Sequence, residues 1–244
     1  MPISRKTCYS TLILSGVLSL SFVAGASARV PQKESERTVK SAKTPVRKTG
    51  IVFPRLVGYP NPRVQAKVNR EIDSITHDFG CDEHSRRSSY TVKSNVSYAK
   101  RDIFSIYASA AYYCGGPYPT NDSNLSATFD LRTGKRVTFE ELFADYETNK
   151  REILKTIFAA QVANSEKLQA AGKTSEDDCN GNPEFFSLDN LESSTFAFNL
   201  SSDGLHVQPD WPHAIEACAI IANVPYATIS KYASKNGILE RAAR

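Results

Sequence analysis

The sequence predicts an α+β fold: a mostly antiparallel sheet with packed helices, closed by two disulfides. Three observations predict it. Apolar residues alternate along successive segments between Tyr90 and Leu131, which is the two-residue period of half-buried strands. They recur at helical spacing over Val64 to Phe79 and again from about Glu147 to Ala171. Cys81, Cys114, Cys179 and Cys218 form an even set behind an export-type N-terminus, where disulfides persist.

Residues 1–28 have the layout of a secretory signal: Arg5 and Lys6, an apolar run from Leu12 to Ala24, and Ala26-Ser27-Ala28 as the small-residue cleavage site. Cleavage is expected after Ala28. The apolar run is shorter than the roughly 20 residues of a spanning helix, so a periplasmic or secreted product without a membrane anchor is expected. Residues 29–49 carry seven basic against two acidic groups and few large apolar side chains, the composition of a disordered leader. Residues 50–244 then carry a net charge of −3 and suit a single α+β domain. That balance in an exported chain excludes nucleic acid as the expected partner.

The domain reads in order as follows. Ile51 to Tyr59, containing Pro54, is an edge strand, because proline removes a ladder donor. Tyr59-Pro60-Asn61-Pro62 turns the chain into the first amphipathic helix, which Gly80 ends. Two strands separated by Lys100-Arg101-Asp102 follow, and Leu125, Ala127, Phe129 and Leu131 continue the alternation to a glycine turn at Thr133-Gly134-Lys135. Thr138 to Glu141 matches a capping box. A long helix from about Glu147 to Ala171 comes next. Phe196 to Leu200 and Leu205 to Val207 flank Ser201-Ser202-Asp203-Gly204 as a hairpin. Ala217 to Val224 reads as an apolar strand, Pro225 as the first helical residue and Asn236-Gly237 as that helix's stop.

Four cysteines permit three pairings. Cys81 with Cys114 and Cys179 with Cys218 are favoured, since each pair brackets one run of strands. No CxxC spacing occurs and the four histidines are scattered, so neither metal nor cofactor is expected.

No catalytic residue is assigned. His77 lies on the polar side of a helix, His84 in a charged loop, and His206 on the outer face of a hairpin strand. Glu140 and Glu141 are adjacent and point apart on a helix. Ser201, Ser202 and Asp203 are explained by the hairpin. Two loops suit binding instead. Gly115-Gly116-Pro117-Tyr118-Pro119 can hold Tyr118 outward on a preset backbone. Pro209-Asp210-Trp211-Pro212-His213 places the single tryptophan between prolines, and such rings are enriched at contact hot spots. The competing reading for both loops is that the rings fold back as lids on the core.

Several short motifs occur in one order: Tyr59-Pro60, Val68-Asn69, Gly115-Gly116, Asp130-Leu131-Arg132-Thr133-Gly134-Lys135, Leu142-Phe143, Asp203-Gly204-Leu205 and Val224-Pro225-Tyr226. Over residues 50–239 this order resembles the exported domain of unknown function shared by the lysozyme-sensing anti-sigma factor and the non-catalytic part of a peptidoglycan deacetylase. The resemblance implies an α+β binding module for a protein such as lysozyme or for peptidoglycan. Its pattern continues the double glycine with Ala-His-Pro, whereas Pro117-Tyr118-Pro119 stands here, so no role of that histidine is carried over. Sigma regulation and deacetylation are not carried over either, since the segments that perform them have no counterpart. The alternative is a wall-active hydrolase whose site assembles across the fold.

Overall fold

The computed structural model describes residues 39–45, 52–77, 89–113, 121–173, 179 and 181–244, all within the compact unit Glu36–Arg244. β1 (Ser41–Pro45) pairs antiparallel with β2 (Val52–Leu56), and α1 (Pro62–His77) follows. α1 starts where it does because Asn61 Oδ1 accepts from the amides of Arg63 and Val64, while Pro62 occupies a position whose amide has no helical partner. β3 (Ser89–Lys100), β4 (Ile103–Tyr113), β5 (Asn121–Asp130) and β6 (Lys135–Arg136) then form one antiparallel sheet in sequence order.

The predicted alternation in β4 is observed. Phe104, Ile106, Ala108 and Ala110 share a face with Ala127 and Phe129 of β5, and all are buried against Val64, Val68 and Ile72 of α1 and Phe53 and Leu56 of β2. The β3–β4 connection is a two-residue turn in which Arg101 (φ 53°) and Asp102 (φ 55°) are both left-handed, the twist that antiparallel strands favour. Gly134 (φ +67°) closes the next turn against α1, where an added Cβ would lie 3.3 Å from Lys67 Cδ.

One expectation is corrected at the N-terminal side. Residues 41–45, assigned to the disordered leader, form β1, and Val39 is buried in the first core. The apolar edge of β2 supplies the ladder that the leader's composition does not reveal.

A second core lies beyond β6. Glu141 reaches back to the Thr138 amide (2.8 Å), so half of the expected capping box forms, at a 3₁₀ turn over Glu140–Leu142. The long helix expected from about Glu147 is two helices, α2 (Tyr146–Ile157) and α3 (Ala159–Ala170), meeting at the buried Phe158. α4 (Leu188–Ser193) is capped by Ser187, whose hydroxyl accepts from the Asn190 amide. β7 (Phe196–Leu200), β8 (Gly204–Pro209) and β9 (Ala222–Pro225) form a second antiparallel sheet, followed by α5 (Tyr226–Ile229) and α6 (Ile238–Ala243). Gly204 is required by strand approach, because a Cβ there would sit 2.3 Å from the Val224 carbonyl oxygen.

The expected strand over Ala217 to Val224 is shorter. A 3₁₀ helix occupies His213–Cys218 and only Ala222–Pro225 pairs, because Cys218 is bonded to Cys179 (Cα–Cα 5.1 Å) and the chain must turn to reach it. This disulfide is the second favoured pair. Cys81 and Cys114 lie outside the described residues. Among the described residues, no helix is long and apolar enough to cross a membrane.

The two cores share the large sheet. Ser105 and Thr128, fully buried on its other face, bond to each other (2.8 Å), and Ser105 Oγ accepts from the Leu200 amide (3.1 Å). A hydroxyl pair thus satisfies a backbone donor on the outer edge of β7, which would otherwise be buried unpaired.

Candidate functional site

The two loops singled out in the sequence do not form a described common surface. Gly115, Gly116 and Tyr118 lie outside the described residues, as does the side chain of His213. Trp211 is 7% exposed: its indole packs on Phe185 and Phe186 (ring centroids 5.5 and 5.3 Å), and Nε1 donates to Ser194 Oγ (3.1 Å). The ring closes the second core, with its polar handle satisfied, as a buried tryptophan requires.

The β7–β8 hairpin brings together a serine, an aspartate and a histidine. Ser201 Oγ lies 3.2 Å from His206 Nε2 and also contacts Asp203 Oδ1, which is 3.8 Å from the same Nε2. In a hydrolytic relay the carboxylate must hold one ring nitrogen while the serine meets the other. Here both converge on Nε2. The serine hydroxyl has one proton, and Asp203 Oδ1 and the Gly204 carbonyl compete for it, while the Gly204 amide donates to its oxygen (3.2 Å). When that proton goes to Asp203, Nε2 must itself carry the hydrogen that bonds Ser201, so His206 acts as donor and not as base. Hydrogen bonds from Ser201 and then Asn223, with His206 contributing least, hold the Asp203 carboxyl below its ordinary value. The cluster is a hairpin lock, and Tyr226 fastens it by donating to the Ser201 carbonyl (2.7 Å). Among the described residues, no group of three His, Cys, Asp or Glu side chains could hold a metal ion.

The large sheet offers a different kind of site. The face carrying Ile103, Ser105 and Thr128 is covered near the Arg101–Asp102 turn. Further along the same face stand Tyr107, Ser109 and Tyr113 on β4, with Asn124 and Ser126 on β5, all half-buried. Thr91, Lys93 and Asn95 extend it onto β3 and are exposed. Tyr107 donates to Asn124 Oδ1 (2.8 Å), and burial pushes its hydroxyl pKa up, so it remains a donor across the physiological range. Among the described side chains, phenol, hydroxyl and amide groups form a broad polar face here beside Lys93, suited to hydrogen bonding and ring stacking. Sequence reading centred on the opposite parity of β4, whose residues are apolar. The signal for this face was its complement: Ser105, Tyr107, Ser109 and Tyr113 occupy every second position but one.

A further depression lies beside the disulfide. It is an open depression of about 200 Å³ beside α3 and Cys179, with Gln161, Asn164, Ser165, Asn182, Phe186 and Ile220 among its described walls.

Among the described residues these features define an α+β domain of three antiparallel sheets and two cores, with a polar sheet face and a hairpin cluster that lacks relay geometry. No protein-family model matches the chain, and no curated protein matches it. A crystal structure of a DUF3298 family member from Bacteroides fragilis shares the fold, with a TM-score of 0.50 and 12% identity over 85% of this chain and 97% of that one. A DUF3298 family protein from Pseudomonas aeruginosa aligns with 81% of this chain and 94% of its own, at a TM-score of 0.41 and 10% identity. The first likeness gives the chain the architecture of a domain of unknown function.

Proposed function

We propose that the chain is an exported, non-catalytic binding module that meets its ligand, peptidoglycan or an envelope protein of lysozyme type, on the open half of the β3–β5 face. The observation that carries this reading is the change of chemistry along that face, from buried Ile103 and Ser105 to half-buried Tyr107, Asn124 and Tyr113 beside exposed Lys93 and Asn95. Two features support the compartment: the signal-type segment over residues 1–28 and the Cys179–Cys218 bond, which persists where thiols are oxidised. The order of motifs shared with the exported domain supports the class of ligand.

The test is sedimentation with purified peptidoglycan and calorimetry with lysozyme, comparing the mature protein with a Lys93→Glu/Asn95→Ala variant, both positions being exposed. Tenfold or greater weakening toward one ligand is expected, with the melting temperature unchanged. Absence of binding to both ligands by the mature protein would remove the reading.

The wall-hydrolase alternative has one observation in its favour, the 3.2 Å approach of Ser201 Oγ to His206 Nε2. Muropeptide turnover abolished by Ser201→Ala would establish it in place of the binding module. Turnover at background level in both proteins is the outcome the hairpin-lock geometry requires.

A further inference from the structure

The solvent side of α1 carries a stripe of like charge. Arg63, Lys67 and Arg70 stand at i, i+4 and i+7, so one helix face presents all three, beside Ala66 and Ser74. All are exposed, and none of the three cations forms an ion pair with another described residue. Lys67 reaches over the β5–β6 turn: its Nζ donates to the Thr133 carbonyl (3.2 Å), and its stem lies against Gly134. Just past that turn Arg136 is exposed too. It stands opposite Phe129 on the ladder and therefore leaves the sheet on the side of α1, with one of its donors given to the Ser126 carbonyl (3.3 Å).

Helix stability does not account for the stripe. Like charges three and four residues apart repel, and cations in the opening turns of a helix oppose its dipole, yet α1 has no acidic residue in its first turn. The two carboxylates of α1 flank the stripe, Glu71 on one side and Asp73 on the other, and Asp73 is already paired with Arg55. The helix end is itself no anion site, because Asn61 Oδ1 takes the amides of Arg63 and Val64.

The spacing selects the partner. Arg63 and Arg70 lie roughly 10 Å apart along the axis at about 1.5 Å per residue, too far for one phosphate to bridge, so the stripe matches an array of anionic groups. The cations spread sideways from helix to strand, which suits a plane of headgroups better than a single linear chain. Ala66 and Ser74 offer no large apolar side chain for insertion, so contact is electrostatic and reversible. The N-terminal segment adds to the same charge: residues 29–49 hold seven basic against two acidic groups, and Lys40 packs beside Gly58, just ahead of α1.

We infer that the α1 stripe, with Arg136, is a docking surface for an anionic phospholipid membrane. α1 covers the sheet face opposite Tyr107 and Asn124, so adsorption leaves the proposed binding face pointing away from the lipid.

The experiment is vesicle co-sedimentation of the mature protein with phosphatidylcholine alone, with equimolar phosphatidylcholine and phosphatidylglycerol, and with the mixture in about 1 M salt, where the Debye length falls to about 3 Å. Binding is expected only to the mixed vesicles at low salt. Each cation near an anionic bilayer contributes roughly fivefold in affinity. Arg63→Gln/Lys67→Gln/Arg70→Gln should therefore bind at least tenfold more weakly with no loss of melting temperature, while Arg63→Lys/Arg70→Lys should bind as the wild type does. An unaffected triple variant would transfer the adsorption to the N-terminal basic segment and overturn the surface. Equal binding to neutral vesicles, no binding to the mixed ones, or tighter calorimetric binding of soluble polyphosphate than of the mixed vesicles would overturn it as well, the last by making the partner a linear polyanion.

Discussion

Asn69 sits in a helix yet bonds as a strand residue would. From α1 its amide donates to the Leu56 carbonyl (2.9 Å) and accepts from the Leu56 amide (3.0 Å), while Arg55 donates to the Asn69 carbonyl (2.6 Å) and pairs with Asp73. Asn69→Ala leaves both backbone groups of Leu56 without these partners. The expected loss is about 2 kcal/mol, which lowers the melting temperature by about 4–8 °C in a domain of this size, measurable by calorimetry. Asp203 gives a pH prediction of definite sign. Its folded pKa is depressed from 3.8, so its contribution is complete above that value and is lost as pH falls through the lower, folded one. The melting temperature should therefore fall more steeply below pH 4 in the wild type than in Asp203→Asn; parallel acid limbs would show that the hairpin lock adds nothing.

The elements legible in the sequence are those whose burial follows one period. β4 reads cleanly because every second residue enters the first core, and the hairpins read cleanly because their turns need left-handed residues or glycine. What was not legible depends on partners distant in sequence. β1 has no apolar stripe of its own and exists through pairing with β2. The break at Phe158 and the 3₁₀ turn before Cys218 are imposed by packing and by a covalent bond. α6 is six residues long, too short to show a period, and is fixed by contacts 140 residues away. The candidate site was hidden for a related reason: the glycine and tryptophan loops announced themselves by composition, whereas the polar parity of β4 looks like ordinary solvent-facing sequence until the second core is seen to cover half of it. The disulfide carries the prediction at this scale. It closes a 39-residue separation between the end of the α3 loop and the 3₁₀ helix, worth about 3–4 kcal/mol in chain-entropy terms. Cys179→Ala/Cys218→Ala should lower the unfolding free energy from denaturant titration by that amount and raise backbone exchange around residues 181–187 and 213–218 before the β4 core opens.

At the scale of the molecule, two hydrophobic cores lie on opposite faces of one sheet, and their joint is polar. Arg241 on α6 is buried, with Nη2 3.0 Å from Asp130 Oδ1, the residue that opens the β5–β6 turn of the first core. Arg101, in the β3–β4 turn, donates to the carbonyls of Arg241 (3.3 Å) and Ala242 (3.2 Å), which lie at the open C-terminal end of α6. Two turns of the first core thus hold the last helix of the second. Removing one partner of such a buried pair costs about 3–5 kcal/mol, much of it from the charge left behind, whereas replacing both with apolar groups is often tolerated. Arg241→Ala is therefore expected to destabilise by about 3 kcal/mol, the lower end because Asp130 keeps some access to solvent. Arg241→Met/Asp130→Asn should recover part of that loss. If the joint couples the cores, the wild type should unfold in one transition and Arg241→Ala in two, with the β7–β9 sheet and its helices melting first. A single transition shifted to lower temperature would mean that the Ser105–Thr128–Leu200 contacts are sufficient to keep the two cores cooperative.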